Sequence, residues 1–316
     1  MLSRVANSLY WLGRYLERAE NVARLLLASE DVATEIRGFN EKLADAEWGD
    51  LVTIFPGAQL GRAVIGRSDE VALTHLAAFF ASPANAYSIH YSLRKARENA
   101  RAVREALTME VFVNLNDAYR QLEQHGRHDI RDLAAFRDGL AATQRDLLSV
   151  VGAIEHTLSR DHGYWFLKLG ESLERVYRAA LVLGVKLRTL TAPGSSASLA
   201  LQDTQWRGLL RALSSLENFR KACGARMEPA TVIEFLVFDA HAPRSLRYGA
   251  SAVKAYLDLI SGANELTVPA RVIGRLTARL QYDDTRGLGD PIAFVDHALG
   301  EIARTHEAIE HVYFES

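Results

Sequence analysis

The chain has 316 residues and a mass of 35.0 kDa, enough for about two domains at the usual ~100–200 residues each. Its 48 % hydrophobic and 24 % charged residues describe a globular chain and exclude a disordered one. The 37 basic and 39 acidic residues leave a formal charge of −2, without the basic footprint of a nucleic-acid binder; the single cysteine, Cys223, excludes an internal disulfide framework and suits a reducing compartment.

Val5, Leu9, Leu12, Leu16, Ala19, Ala23 and Leu26 recur at alternating spacings of four and three, which predicts a first amphipathic helix, with Ser3 at its start. Charges at Arg4, Arg14, Glu17, Arg18, Glu20 and Arg24 interrupt any leader-like apolar run, and no later segment reaches the ~18 apolar residues of a membrane span. The expectation is a cytoplasmic protein with no membrane or nucleic-acid partner. Opposite the stripe fall Tyr10, Trp11, Arg14, Glu17, Arg18, Asn21 and Arg24, either a solvated face laced by ion pairs or part of a site. Glu20 lies beside the stripe, where a carboxylate needs an Arg or a metal nearby.

Further helices are predicted around 30–47, 68–81 and 86–124. Within the last, Arg94, Arg97, Arg101 and Arg104 form one stripe at i, i+3, i+7 and i+10, extended by His90 and flanked by Glu98, Asn99 and Glu105. Four guanidinia on one face call for carboxylates from a packed helix, such as Glu17 or Glu20, or for an anionic ligand gripped through the bidentate fork of arginine. Helices follow around 129–159, 163–190, 199–223, 229–238, 243–262, 267–282 and 290–314. Asp161 reads as a cap at the start of its helix. Arg244 and Ser245, after Asp239 and Pro243, fall at a helix N-terminus that serves capping or an anion. Breaks are expected near Pro56-Gly57, Ser82-Pro83, His125-Gly126 and Ala192–Ser198. No strand alternation and no hairpin turn signal is present, so the fold class is all-α.

Several signatures fail. Gly61–Ser68 resembles a P-loop but has Arg67 where the lysine is required. His306 and His311 are five apart, not the four of a zinc helix. Glu-x-x-His is absent from the sequence, against a di-iron bundle. No metal site is predicted.

An internal repeat organises the chain. Leu12-Gly13-Arg14-Tyr15-Leu16-Glu17-Arg18 returns as Leu169-Gly170-Glu171-Ser172-Leu173-Glu174-Arg175, an offset of 157 residues. The same offset takes Ala23 to Ala180, Leu26 to Leu183, and Ser88-Ile89-His90-Tyr91 to Ser245-Leu246-Arg247-Tyr248; Trp48 and Trp206 match it within one. The expectation is a large helical bundle of two duplicated units, 1–157 and 158–316, packed with pseudo-two-fold symmetry as one body.

Residues 2–26, LSRVANSLYWLGRYLERAENVARLL, together with ARENARAVRE, DHGYWFLKLGESLERV and FDAHAPRSLRY, resemble the bacterial Alpha-E family in order and over nearly the whole chain. Glu171 departs from the arginine usual after the glycine, and Arg160 from the histidine common before Asp161. The resemblance implies an all-helical protein whose genes accompany circularly permuted ATP-grasp proteins and transglutaminase-like peptidases. It implies a polar pattern of Glu17, Arg18, Glu20, Asn21, Arg24, Arg97, Glu98, Asn99, Arg101, Arg104, Glu110, Asp161, Glu174, Arg175, Asp239, Arg244 and Ser245, to which the helix pattern adds Arg14. The leading expectation is an accessory component of an amide-forming or peptide-modifying system that binds an anionic substrate or partner in a Glu/Arg-lined groove. No cofactor of its own is expected; Mg and ATP would enter through the ATP-grasp partner. The alternatives are a stand-alone enzyme with Glu17 or Glu20 as general base, and a purely structural helical scaffold.

Overall fold

The structure is a computed structural model that describes residues 2–55, 82–128, 132–191, 198–262, 266–284 and 289–315. Among these the chain is helical, with no strand. The helices are α1 (Ser3–Arg37), α2 (Glu41–Ile54), α3 (Ile89–Ala102), α4 (Met109–His128), α5 (Leu133–Thr157) and α6 (His162–Leu190). They continue as α7 (Leu199–Ala212), α8 (Leu216–Cys223), α9 (Pro229–Phe238), α10 (Leu246–Ser261), α11 (Val268–Tyr282) and α12 (Pro291–Tyr313). The expected helix 68–81, the breaks at Pro56-Gly57 and within 192–197, and the P-loop-like segment lie outside the described residues.

Three boundaries differ from the sequence reading. The first helix runs on to Arg37, because apolar residues continue to pack through Val32, Ala33 and Ile36, so the helix expected over 30–47 is divided between α1 and α2, which itself runs on to Ile54. The segment read as one helix over 86–124 is two helices joined by a 3₁₀ turn at Arg104–Ala106; α4 then continues past His125-Gly126 to His128. The segment 199–223 breaks at Leu213–Ser215, where Ser214 takes a positive φ of 47°.

Contacts divide the chain into two compact units. One comprises residues 1–27 and 55–171, the other 28–54 and 172–316. This differs from the sequence division at 157, since α1 and α6 each contribute residues to both units. In the first unit α3 packs on α4 and α4 on α5. In the second, α10 packs on α11 and α11 on α12, with α9 against α10 and α11. Helix α9 is apolar nearly all round, as a core helix must be, and Val232, Ile233, Phe235, Leu236, Val237 and Phe238 are all buried.

The helix pairs α1/α6, α2/α7, α3/α10, α4/α11 and α5/α12 begin 157 to 159 residues apart. Local geometry repeats as well. Ser88 caps α3 with φ −70° and ψ 154°, accepts from the Tyr91 N–H at 2.9 Å and donates to the Ser82 carbonyl at 2.6 Å. Ser245 caps α10 with φ −70° and ψ 153°, accepts from the Tyr248 N–H at 3.0 Å and donates to the Asp239 carbonyl at 2.5 Å. Every partner is displaced by the same 157 residues.

Helices α1 and α6 meet backbone to backbone at two glycines. A β-carbon on Gly13 would collide with the Leu167 carbonyl oxygen, and one on Gly170 with the Tyr10 carbonyl oxygen. Gly13 and Gly170 are 157 apart, as are Tyr10 and Leu167, so this contact is self-complementary in the manner of a local two-fold axis.

Candidate functional site

The polar residues of α1 do not form a solvated face. Arg14, Glu17, Asn21 and Arg24 are all buried, like the apolar stripe opposite them. A helix covered on both sides must find partners for its charges inside the fold, and part of that pairing runs along the axis of α1. Asn21 donates to Glu17 Oε1 at 2.9 Å, Arg24 donates to Asn21 Oδ1 at 2.7 Å, and Arg24 pairs with Glu20 at 3.2 Å. The arginine required beside Glu20 is therefore Arg24. Both carboxylates considered as bases are engaged in this relay.

From α1 toward α3 runs a ladder of aromatic rings faced by cations. The Arg14 guanidinium lies 4.9 Å from the Trp11 ring centre, Trp11 is 5.3 Å from Tyr15, and Arg18 lies 5.2 Å from Tyr15. Tyr15 meets Tyr91 of α3 at 6.4 Å, and Arg94 lies 5.2 Å from Tyr91. Burial raises the Tyr15 phenol pKa above its ordinary value, against the pull of Arg18, so the ring stays neutral and its π-face is offered to the cations.

The arginine stripe of α3 continues this surface. Arg94 and Lys95 both pair with Glu98, at 2.9 and 2.7 Å. The Lys95 hydrogen bond holds the Glu98 carboxyl below its usual range, and the same bond raises Lys95. The other three arginines find no carboxylate among the described residues. Arg97 lies 5.0 Å from the Tyr119 ring and donates through Nε to Asn116 Oδ1 at 2.6 Å. Arg104 lies 4.4 Å from the Phe112 ring and donates to the Leu107 carbonyl. Arg101 is exposed and makes no contact of this kind. The expected pairing of the stripe with Glu17 or Glu20 is absent; Arg97 and Arg104 are braced by aromatic rings of α4 instead.

Beside Arg97 sits a small polar cluster between α3 and α4. Tyr119 donates to Glu123 at 2.9 Å, the His90 Nε2 atom is 3.7 Å from the same carboxylate, and the His90 and Tyr119 rings are 5.5 Å apart. Burial, followed by the Glu123 acceptor, raises Tyr119.

The remaining candidates fall elsewhere. Asn99 donates to the Lys95 carbonyl within α3. Asp161 caps α6, accepting from the Gly163 and Tyr164 N–H groups at 2.9 and 3.1 Å. In the second unit Glu174 is fully buried and accepts from Arg178 at 3.0 Å, occupying the position of the Glu17–Asn21 pair one repeat earlier. Arg175 follows Glu174 on the same helix. Asp239 accepts from the His241 and Ala242 N–H groups, and Ser245 is the α10 cap with Arg244 just before it. Asp161, Asp239 and Ser245 thus serve helix ends and turns, while the cation–aromatic surface is built from α1, α3 and α4 of the first unit.

Sequence reading placed Trp11 on the polar side of α1 but missed Tyr15, Tyr91, Phe112, Asn116, Tyr119 and Glu123 as parts of this surface. A signal was present: aromatic-x-x-Arg occurs at Trp11–Arg14, Tyr15–Arg18 and Tyr91–Arg94, the spacing that places a guanidinium over a ring one turn back. Among the described residues no group of three His, Cys, Asp or Glu side chains has the geometry to hold a metal ion, and no helix is long and apolar enough to cross a membrane.

Comparison with known proteins gives one family. The model for Alpha-E, described as a predicted alpha-helical domain with a conserved ER motif, matches residues 1–314. The sequence holds two Glu-Arg dipeptides, Glu17-Arg18 and Glu174-Arg175. Uncharacterized proteins of Mycobacterium bovis and Mycobacterium tuberculosis are 26 % identical over 295 residues, covering 88 % of this chain and 32 % of their own length. The chain therefore spans about a third of the curated relatives it matches. No solved structure gives a significant match.

Proposed function

The chain belongs to the Alpha-E family, and from that premise we propose that it is an accessory component of an ATP-grasp-linked system that forms amide bonds or modifies peptides. Its part is to hold an anionic substrate or partner, carrying carboxylate or phosphate groups, on the cation–aromatic face of the first unit. ATP and Mg belong to the ATP-grasp partner in this reading, and a transglutaminase-like peptidase is a further expected associate.

One observation carries the binding role. Arg97, Arg101 and Arg104 stand on one stripe without a carboxylate among the described residues, and two of them are braced by aromatic rings. Holding like charges side by side costs free energy unless something outside the fold neutralises them, and guanidinium is the group best shaped to take carboxylate or phosphate through two parallel hydrogen bonds. Glu17 and Glu20 are engaged in the Arg24–Asn21 relay within α1 and act in this reading as positioning residues and not as bases.

The test is purification of the tagged protein from its native host, with co-purifying proteins identified by mass spectrometry, in parallel for the natural chain and Arg101→Ala. Arg101 is exposed, so its truncation is expected to leave the melting temperature within about 1–2 °C, as for a surface change of under ~0.5 kcal/mol. Recovery of an ATP-grasp protein in near-equal amount, reduced at least several-fold by Arg101→Ala, is the expected outcome. Recovery of no such protein, together with no thermal shift from small carboxylates or phosphates, overturns the proposal.

A further inference from the structure

The second copy of the fold acts as an internal control for the charge on the first. At the 157-residue offset, Arg97 and Arg101 of α3 correspond to Lys254 and Asp258 of α10. There the pair closes on itself, with Lys254 Nζ 2.7 and 2.5 Å from the two Asp258 oxygens. Arg104 corresponds to Ser261, whose hydroxyl donates to the Leu257 carbonyl within its own helix. Likewise Trp11 and Arg14 correspond to Lys168 and Glu171, which are ion-paired at 2.6 Å. At the positions of Arg97, Arg101 and Arg104 the second copy thus carries an internal ion pair and a neutral serine. The helix positions themselves do not demand uncompensated charge.

Apolar side chains border the strip. Met109 at the start of α4 is 61 % exposed and its sulfur lies 3.3 Å from Arg104 Nη2; Val113, one turn on, is 43 % exposed. The counterpart of Val113 is Ala270, which is fully buried. Glu105 and Glu110 are exposed near this end, but neither bonds the stripe.

We propose that Arg97, Arg101 and Arg104, with Met109 and Val113, form the docking strip for an acidic peptide segment of a partner polypeptide, one that alternates carboxylates with apolar side chains. This rests on the anion-binding reading above and narrows it to one ligand class. The length of the strip is the reason. The rings that brace Arg104 and Arg97, Phe112 and Tyr119, stand seven residues apart on the continuous helix α4, about 10 Å, which is beyond the span of a single carboxylate. An extended peptide repeats its side chains on one face every ~6.6 Å, so two or three acidic residues at alternate positions reach all three guanidinia. The peptide therefore lies edge-on along the strip, its acidic edge toward the guanidinia and its apolar edge toward Met109 and Val113. The relatives from Mycobacterium carry the matched segment as about a third of a longer chain, so in them this fold works in the company of other polypeptide.

The experiment uses the full chain and a fluorescein-labelled peptide, Glu-Leu-Glu-Leu-Glu-Leu-Glu, followed by fluorescence anisotropy at low and moderate salt. The expected result is saturable binding that weakens with salt. Arg101→Glu should weaken it at least tenfold and Arg101→Glu with Arg104→Glu further, both keeping the helical circular dichroism of the natural chain, whereas Lys254→Glu in α10 should change it less than twofold. A peptide with Gln in place of every Glu should not bind. Equal binding of the Gln peptide, or indifference to Arg101→Glu, overturns the strip. Competition by glutarate or pyrophosphate at the concentration where the peptide itself competes also overturns the peptide assignment, while leaving the anion-binding reading standing.

Discussion

Lys186 shows what a single residue can hold together when its partners are far away in sequence. It lies on α6, is 4 % exposed, and pairs with Glu47 at 2.5 Å and Asp50 at 3.0 Å, while Thr189 donates to Asp50 at 2.7 Å. Burial lowers the lysine pKa, but the two carboxylates outweigh burial and the net shift is upward. Removing the cation leaves two carboxylates buried together, so Lys186→Met should cost about 3–5 kcal/mol, the range for breaking a buried ion pair, measured by urea denaturation at pH 7. The pH dependence follows from the sign of the shift. A raised folded pKa stabilises fully below the unfolded value of ~10.4 and is lost as pH rises through the folded value. The gap between natural and variant protein should therefore persist through neutral pH and narrow only in the alkaline range. None of this was legible in the sequence: Lys186 and Glu47 are 139 residues apart, and no local pattern marks either. The Ser245 and Asp161 caps were legible, because a cap is a contact between residues two or three apart.

At the scale of the element, helix periodicity found most helices but not where they stop. The break at Val103–Leu107 contains neither Gly nor Pro, and it forms because a 3₁₀ turn lets α4 fold back on α3 with Val103 and Leu107 both buried. That is a tertiary gain which local propensity does not carry. The Leu12-Gly13 and Leu169-Gly170 repeat was visible, but its meaning was not: glycine inside a helix reads as a weakness of ~1 kcal/mol against alanine. In the structure the two glycines let α1 and α6 touch backbone to backbone. Gly13→Ala and Gly170→Ala should each destabilise by ~1–3 kcal/mol or more, the cost of overpacking, since the obstructing atom is a carbonyl oxygen and not a flexible side chain. Gly300→Ala, in an exposed stretch of α12 with open space around it, should instead stabilise by ~0.5–1 kcal/mol. Thermal denaturation of the three variants decides it. Destabilisation at Gly300, or indifference at Gly13, would contradict the close approach.

For the whole molecule, five helix pairs begin 157 to 159 residues apart, close to the offset read from a few residues of the sequence. What the sequence did not convey is that the contact units cut across the repeats. Residues 3–27 of α1 and 162–171 of α6 belong to the first unit, while 28–37 of α1 and 172–190 of α6 belong to the second. A helix is stabilised cooperatively along its length, so neither unit can lose its part of α1 or α6 without fraying the part that serves the other. The chain should therefore melt in a single transition despite its two units, with calorimetric and van't Hoff enthalpies in agreement. Gly170→Ala acts in the first unit and Lys186→Met in the second, and both should displace that same transition to lower temperature. Two resolved transitions, each moved by only one of the variants, would show that the shared helices do not couple the units. A single transition moved by both would show that the two units unfold together.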